Sequence, residues 1–385
     1  MTRGSSIRFA SLAIAVWGLV LCITPTSRSR VEALPQRLDD HTFWTLVTDF
    51  SEPGGTFRSD NLVSNELSFE QVIPPLQAAL QPPSAYIGVG PDQNFTYIAG
   101  LKPRIAFIVD IRRQNMLLHL MYKAIIELSP TRVEFLARLF ARMPRIDVPA
   151  TATPDLLLGA FQGVEPDAIA FERTRQDIRR VLLHDHGFTL SAADLGAIDY
   201  VYRAFYSAGG DIRYSFGRGN GWQPFPSYRD LMIEHDLAGE QRSYLASEEL
   251  YQALRDMEQR NLIVPVVGDF GGPKALRSIG RYLDMHHATV SVFYTSNVEQ
   301  YLFRGDLWQH FYANVGALPI DDRSTFIRAY FNNQGRVFRF EQGQSGPPAG
   351  PRSEQLLNPV NVLLAAFSNG RITSYYDVID LSHQQ

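Results

Sequence analysis

Apolar residues along the chain fall into short blocks of two kinds. Residues 85–89 and 105–109 are unbroken apolar runs with β-branched residues, bounded by Gly and Pro, which is the pattern of strands buried on both faces of a parallel sheet. Between them, residues 92–101 are long enough for a short helix stopped by Gly100 and Pro103. The stretch after Asp110, RRQNMLLHLMYKAIIELS, repeats its apolar positions at helical spacing. Strand, helix, strand, helix in that order implies right-handed crossovers and a parallel sheet. From residue 131 to about 260 the spacing predicts helices over 131–142, 165–184, 191–208 and 247–260, interrupted by the turn-rich aromatic stretch YSFGRGNGWQPFPSY at 214–228. Strand pattern returns at 262–267, then a helix at 274–285 and a buried strand at 288–294 ending on Thr-Ser-Asn. Residues 326–331, 337–342 and 372–381 read as further strands, and the Pro- and Gly-rich segment 343–351 as a surface loop. Ahead of the first strand, FSEPGGTFRSDNLVSNE (50–66) follows neither period and reads as an ordered loop. SFEQVIPPLQAAL then reads as a short helix interrupted by Pro74 and Pro75.

The fold class expected from these blocks is α/β, a doubly wound and mainly parallel sheet with a helical insertion. Residues 84–130 form the first half of its core, 131–260 the mainly helical insertion, and 261–385 the second half with the C-terminal strands. Residues 34–83 supply a loop and short helix that cap the core. Residues 1–33 differ in kind. Arg3 and Arg8 precede an uncharged apolar stretch at 9–24, followed by TSRSR, the build of a secretory signal with a small-residue cleavage pattern at Val31-Glu32-Ala33. The apolar stretch is also a candidate membrane anchor, although a span wants roughly 20 residues. The chain is therefore expected to be exported or membrane-anchored through this segment. Arg28, Arg30 and Arg37 on its far side leave the side of the membrane open. Cys22 is the single cysteine and would leave with a cleaved signal, which removes disulfides, thiolate metal sites and a cysteine nucleophile from consideration. A formal net charge of −4 gives no electrostatic reason to expect nucleic acid.

The candidate chemistry lies at the ends of the first two strands. Gly88 and Gly90 follow the first, and Asp110 closes the second, twenty residues after Gly90. In an open α/β sheet ligands sit beyond the carboxyl ends of the strands, where a glycine turn admits the ligand and an acid accepts from ribose hydroxyls. Gln93 occupies the third glycine position of the dinucleotide fingerprint and Asp92 would set a negative charge near a pyrophosphate, so an NAD-dependent oxidoreductase is disfavoured. A nucleoside without phosphates meets neither objection. The arrangement resembles the class I S-adenosylmethionine-dependent methyltransferases, with a glycine turn after strand one, an acid closing strand two and an Asp-containing turn after strand four. More narrowly, FSEPGGTFRSDNLVSNE, GVGPDQNFTYIA and FIVDIRRQN resemble an uncharacterised bacterial family with such a core. The resemblance covers about residues 84–130 and 262–300. It implies S-adenosylmethionine as cofactor, with Gly88 and Gly90 at its methionine moiety, Asp110 at its ribose, and Asp269 with Phe270 near the transferred group. Asn94, Ile111 and Arg112 complete that expected cofactor set. Ile87 stands where the family usually has an acid before the glycines, and Asp-Phe-Gly-Gly-Pro stands where it usually has Asn/Asp-Pro-Pro-aromatic.

Each of these residues also has a plainer reading. The glycines would serve a tight turn, Asp110 a helix N-cap, Arg112 and Arg113 a solvated helix face, and Asp269 a structural turn. Glu52, Arg58, Asp60, Asn61, Asn65 and Glu66 crowd the 50–66 loop, either to tie it down or to cap the cofactor pocket. His184-Asp185-His186 and His286-His287 lack a third ligand at useful spacing, so no metal is expected. Neither a G-x-S-x-G nucleophile elbow nor a P-loop is present. The aromatic residues of 200–228 form either insertion core or an acceptor groove. Three functions remain in view: a membrane-associated methyltransferase of unknown acceptor, a catalytically inactive exported binding module that retains the fold, and, least supported, the oxidoreductase.

Overall fold

In a computed structural model, the described residues are Met1, 33–80, 84–215, 225–331 and 353–384. The signal or anchor segment, the strand expected at 337–342, the loop at 343–351 and most of the 214–228 stretch therefore lie outside them. Residues 32–385 cluster as one compact unit.

The four buried apolar runs form consecutive strands of one sheet: β1 (Ala85–Gly88), β2 (Ile105–Asp110), β3 (Ile263–Val267) and β4 (Val290–Ser296), joined by β5 (Thr325–Phe331) and β6 (Ser353–Pro359). Their order is β3-β2-β1-β4-β5-β6, parallel throughout except for the antiparallel pair β5 and β6. β1, β2 and β3 are buried at every residue, as runs without alternation require. Pro265, which cannot donate to a ladder, sits in β3 at the sheet edge, where one side needs no donor. The chain moves outward from β1 to β3 and then returns to β4 beside β1, so the direction of winding reverses between β1 and β4.

Helices α1 (Asp40–Phe50) and α2 (Ile73–Ala79) precede the sheet; α3 (Gln93–Leu101) links β1 to β2, and α4 (Arg113–Glu127) follows β2. The insertion between β2 and β3 carries α5 (Arg132–Phe140), α6 (Pro154–Gly159), α7 (Ala168–Arg180), α8 (Ala192–Ala208), α9 (Tyr228–Met232) and α10 (Glu248–Gln259). Beyond β3 come α11 (Ala275–Met285), then α12 (Val298–Arg304) and α13 (Trp308–Val315) after β4, and α14 (Val360–Ser368) and α15 (Tyr375–His383) at the end. α3 and α4 pack with α10, and α11 packs with α1 and α13. These are the two helical layers of a doubly wound sheet.

Two sequence expectations are corrected. Residues 372–381 do not form a strand: Ser374 and Asp377 make a capping box, and Tyr375, Val378, Ile379 and Ser382 are buried at the i, i+3, i+4, i+7 spacing of α15. Pro74 and Pro75 do not interrupt a helix but start α2 at its first turn, where their missing N–H groups cost nothing.

Candidate ligand cavity at the strand ends

The carboxyl edge of the sheet carries a cavity of about 820 Å³, within the size range of small-molecule sites. Its wall combines the β1–α3 turn (Val89, Gly90, Pro91), the end of β2 (Val109, Asp110, Ile111, Arg112), the end of β3 (Gly268, Asp269, Phe270) and the end of β4 (Tyr294, Ser296, Asn297). The 50–66 loop adds Phe57, Asn61, Asn65 and Glu66, and α12 adds Tyr301 and Arg304.

The two glycines do different things. Gly90 lines the cavity at φ +80°, a conformation that side-chain-bearing residues rarely adopt. Its carbonyl accepts a 2.8 Å hydrogen bond from Nε2 of the buried His119, whose pKa burial pushes down to about 4, so the imidazole is neutral. Gly88 is not on the wall. A Cβ there would fall 1.9 Å from Asn94 Oδ1 and 2.7 Å from the Tyr86 ring, so this glycine makes room for side chains inside the protein. Asn94, expected at the cofactor, is likewise turned inward and fully buried. Its amide donates to the carbonyls of Val89 (2.9 Å) and Pro91 (2.7 Å), and its oxygen accepts from the Tyr86 hydroxyl at 2.8 Å. It shapes the glycine turn from behind. Asp92 is buried as well, accepts from the Tyr244 hydroxyl at 3.2 Å, and is pushed up to about 7 by burial.

Asp110 reaches the cavity but carries a partner. Arg112 donates to it from its backbone N (2.8 Å), Nε (3.1 Å) and Nη2 (3.0 Å), and also to the carbonyls of Ser59 and Asp60. Three of about four acceptor positions on the carboxylate are thereby taken. The bond to the backbone two residues on is a local turn, and α4 begins without a side-chain cap, so Asp110 is not an N-cap. Arg112 is buried, and Arg113 is clamped by Asp194 at 2.6 and 3.0 Å, which holds that carboxyl down at about 2. Arg112 is therefore not part of a solvated helix face, whereas Arg113 is exposed at the first residue of α4, with Asp194 as its partner. The Ile111 carbonyl accepts from Gly55 N at 2.8 Å, fixing the 50–66 loop over the end of β2.

Asp269 and Phe270 line the cavity from the end of β3, the outermost strand, rather than from the position after β4 that the resemblance assigns them. Asp269 accepts from Gly271 N at 2.8 Å in a tight turn, and Phe270 stacks on Phe311 at 5.6 Å. The position after β4 is held by Ser296 and Asn297. The β4–β5 register shifts there, and Ser296 has φ +52°, a strained backbone of the kind that concentrates at functional sites.

Within the loop, Glu52 leaves the cavity and accepts from the backbone N of Lys274 and of Ala275, both at 2.8 Å, capping α11. Asp60 accepts from Tyr200 at 2.6 Å, and Arg58 is exposed and off the wall. Asn61, Asn65 and Glu66 do line it. Glu66 is buried and accepts from the Ser296 hydroxyl, from Gln93 at 2.9 Å and from Gln355 at 3.2 Å. Burial raises its pKa against the lowering effect of those donors and of Tyr294. Sequence spacing leaves this constellation invisible, because its members come from positions 66, 93, 296 and 355. The Thr-Ser-Asn ending of the fourth strand is the one local signal. An aromatic pair, Phe57 on Tyr301 at 5.1 Å, adds an apolar surface to the wall. His186 bridges Asp40 and Glu127 at 2.6 and 2.8 Å in a remote cluster, and among the described residues no group of three or more His, Cys, Asp or Glu is placed to hold a metal.

No curated protein matches the chain. The family model that does match covers residues 61–146 and 203–347, which takes in β1 to β5 and most of the cavity wall but leaves out Glu52 and much of the helical insertion. With more than half of its length matched, the chain belongs to the family described as Domain of unknown function (DUF7790).

Proposed function

We propose that the protein binds a nucleoside of the S-adenosylmethionine type at the ends of β1, β2 and β3 and transfers its methyl group to an acceptor held towards β4. The observation that carries this reading is the convergence of the Gly90 turn, Asp110 and Asp269 on one cavity beside the β1/β4 reversal, where doubly wound sheets take their ligands. Gly90 would let backbone approach the ligand, the remaining acceptor capacity of Asp110 would meet a ribose hydroxyl, and the Asp269-Phe270 turn would face the base. Among the described residues, Glu66 and Asp269 on the wall favour a cationic ligand over a pyrophosphate. S-adenosylmethionine would supply an activated methyl group; the protein would orient it and exclude water.

A second reading, a catalytically inactive module that keeps the fold and does not bind this nucleoside, is favoured by the Asp110–Arg112 ion pair, which a ribose diol would have to share. Titration calorimetry of the full chain with S-adenosylmethionine and with S-adenosylhomocysteine separates the two. The first reading expects dissociation constants between about 1 μM and 1 mM, the span common for enzyme substrates, and loss of binding in Asp110→Ala. No heat and no thermal stabilisation at millimolar ligand would sink it and leave the second.

A further inference from the structure

Glu66 presents a carboxylate to the cavity whose partners are all neutral: the Ser296 hydroxyl, the amides of Gln93 and Gln355, and Tyr294. None of the ion pairs among the described residues includes it. The other buried acid on the wall, Asp110, is matched by Arg112, and the wall's Arg304 is exposed and lies 5.8 Å over the Tyr301 ring. A carboxylate that is 1% exposed and lacks a counter-ion carries a desolvation cost that hydrogen bonds from neutral groups offset only in part. A bound cation would offset the remainder.

We infer that Glu66 anchors a subsite for a cationic nitrogen, walled by Tyr294, Ser296 and Asn297 and bordered by the Phe57–Tyr301 pair. The nitrogen has two sources: the ammonium at the amino-acid end of the nucleoside proposed above, in which case the inference rests on that reading, or a separate amine bound beside it. In either case a cation at Glu66 favours the charged form and opposes the upward push of burial on its pKa.

The test is calorimetry on the full chain with two matched pairs. S-adenosylhomocysteine is compared with its analogue lacking only the α-amino group, and benzylamine with benzyl alcohol. A hydrogen-bonded charge in a buried site is worth roughly tenfold or more in affinity. If the nucleoside is the source, S-adenosylhomocysteine binds at least about tenfold tighter than the deaminated analogue. If a separate amine is the source, benzylamine leads benzyl alcohol by the same margin, with or without saturating S-adenosylhomocysteine. Glu66→Gln brings the pair that contains the preferred ligand to within about twofold. Nucleosides that fail to bind while benzylamine keeps its lead would overturn the methyltransferase reading and leave the subsite standing. Equal affinities within both pairs, or a preference that survives Glu66→Gln, would overturn the subsite. Should Glu66→Gln fail to fold by circular dichroism, the wild-type pairs decide alone.

Discussion

Asn94 shows how much of the glycine turn is built from behind. Its amide is the donor for the carbonyls of Val89 and Pro91, with a longer 3.3 Å contact to Gly90, and its oxygen is the acceptor for Tyr86, all in a fully buried position. Replacing it with Ala would take these bonds from the Val89 carbonyl and the Tyr86 hydroxyl, while the Gly90 carbonyl keeps His119 and the Pro91 carbonyl keeps the backbone N of residue 94; each buried polar group stranded in this way costs about 1 to 3 kcal/mol. Asn94→Ala is therefore expected to lose about 3 kcal/mol in urea unfolding and to weaken any ligand that uses Gly90. An unchanged midpoint would show that the turn holds itself. The same residue marks the limit of spacing arguments. Gly90 and Asp110 were legible as wall residues because a turn after one strand and an acid ending the next follow from local sequence. Gly88 and Asn94 sit within four residues of them yet face inward, and the sequence around them carries no sign of direction.

At the scale of elements, the 50–66 loop is joined to the sheet by backbone as well as side chains: Glu52 N donates to the Val267 carbonyl at 2.8 Å, and Gly55 N to that of Ile111. The Glu52 carboxylate then takes the first free N–H groups of α11, where both the hydrogen bonds and the helix dipole favour a negative charge. Glu52→Ala is expected to cost about 1 kcal/mol, the usual worth of such a cap. It should also raise hydrogen exchange at Lys274 and Ala275 and along the loop from 51 to 60, while β1 and β2 stay protected. Exchange unchanged in both segments would mean that backbone pairing alone fixes the loop. The loop was legible as ordered from its density of polar groups, but not its destinations, which range from Ile111 and Arg112 to Val267, Lys274 and Ser296. α15 shows the converse failure. ITSYYDVIDL is rich in strand-favouring residues, yet its buried positions follow helical spacing and its Ser-Tyr-Tyr-Asp start is a capping box, so tertiary packing overrode propensity.

Across the whole molecule, alternation of strand and helix was enough to predict the doubly wound sheet, because each buried run admits one partner geometry. The buried charges were not predictable, since their environments are made by the insertion folding back on the core. Their titration shapes the stability of the protein. Burial, with Glu234 and Asp236 nearby, pushes Glu70 up to about 9, and burial pushes Glu258 up to about 8 beside Lys123. For His186, burial works against the charge, but the bonds to Glu127 and Asp40 prevail and raise its pKa. All three groups hold a proton in the folded state at a pH where the unfolded chain has released it, so their contribution is lost as pH rises through the folded values. His119 acts in the opposite sense: held down at about 4, it refuses a proton that the unfolded chain accepts below its ordinary 6.5, so its contribution is lost in acid between those values. Asp194, held at about 2 by Arg113, loses its contribution only at stronger acid. The balance puts maximal stability on the acid side of neutral. From pH 7 to 9 the unfolding free energy should fall by about 1 to 3 kcal/mol per pH unit, since each proton held only by the folded state contributes about 1.4. Melting temperatures measured across this range in wild type and in Glu70→Gln provide the check. The wild type should melt progressively lower, and the variant, neutral at every pH, should lose less over the same interval. A wild-type melting temperature that stays level or rises from pH 7 to 9 would mean that these carboxyls and His186 are already charged or neutral alike in both states, and that the buried polar clusters are hydrated rather than dry.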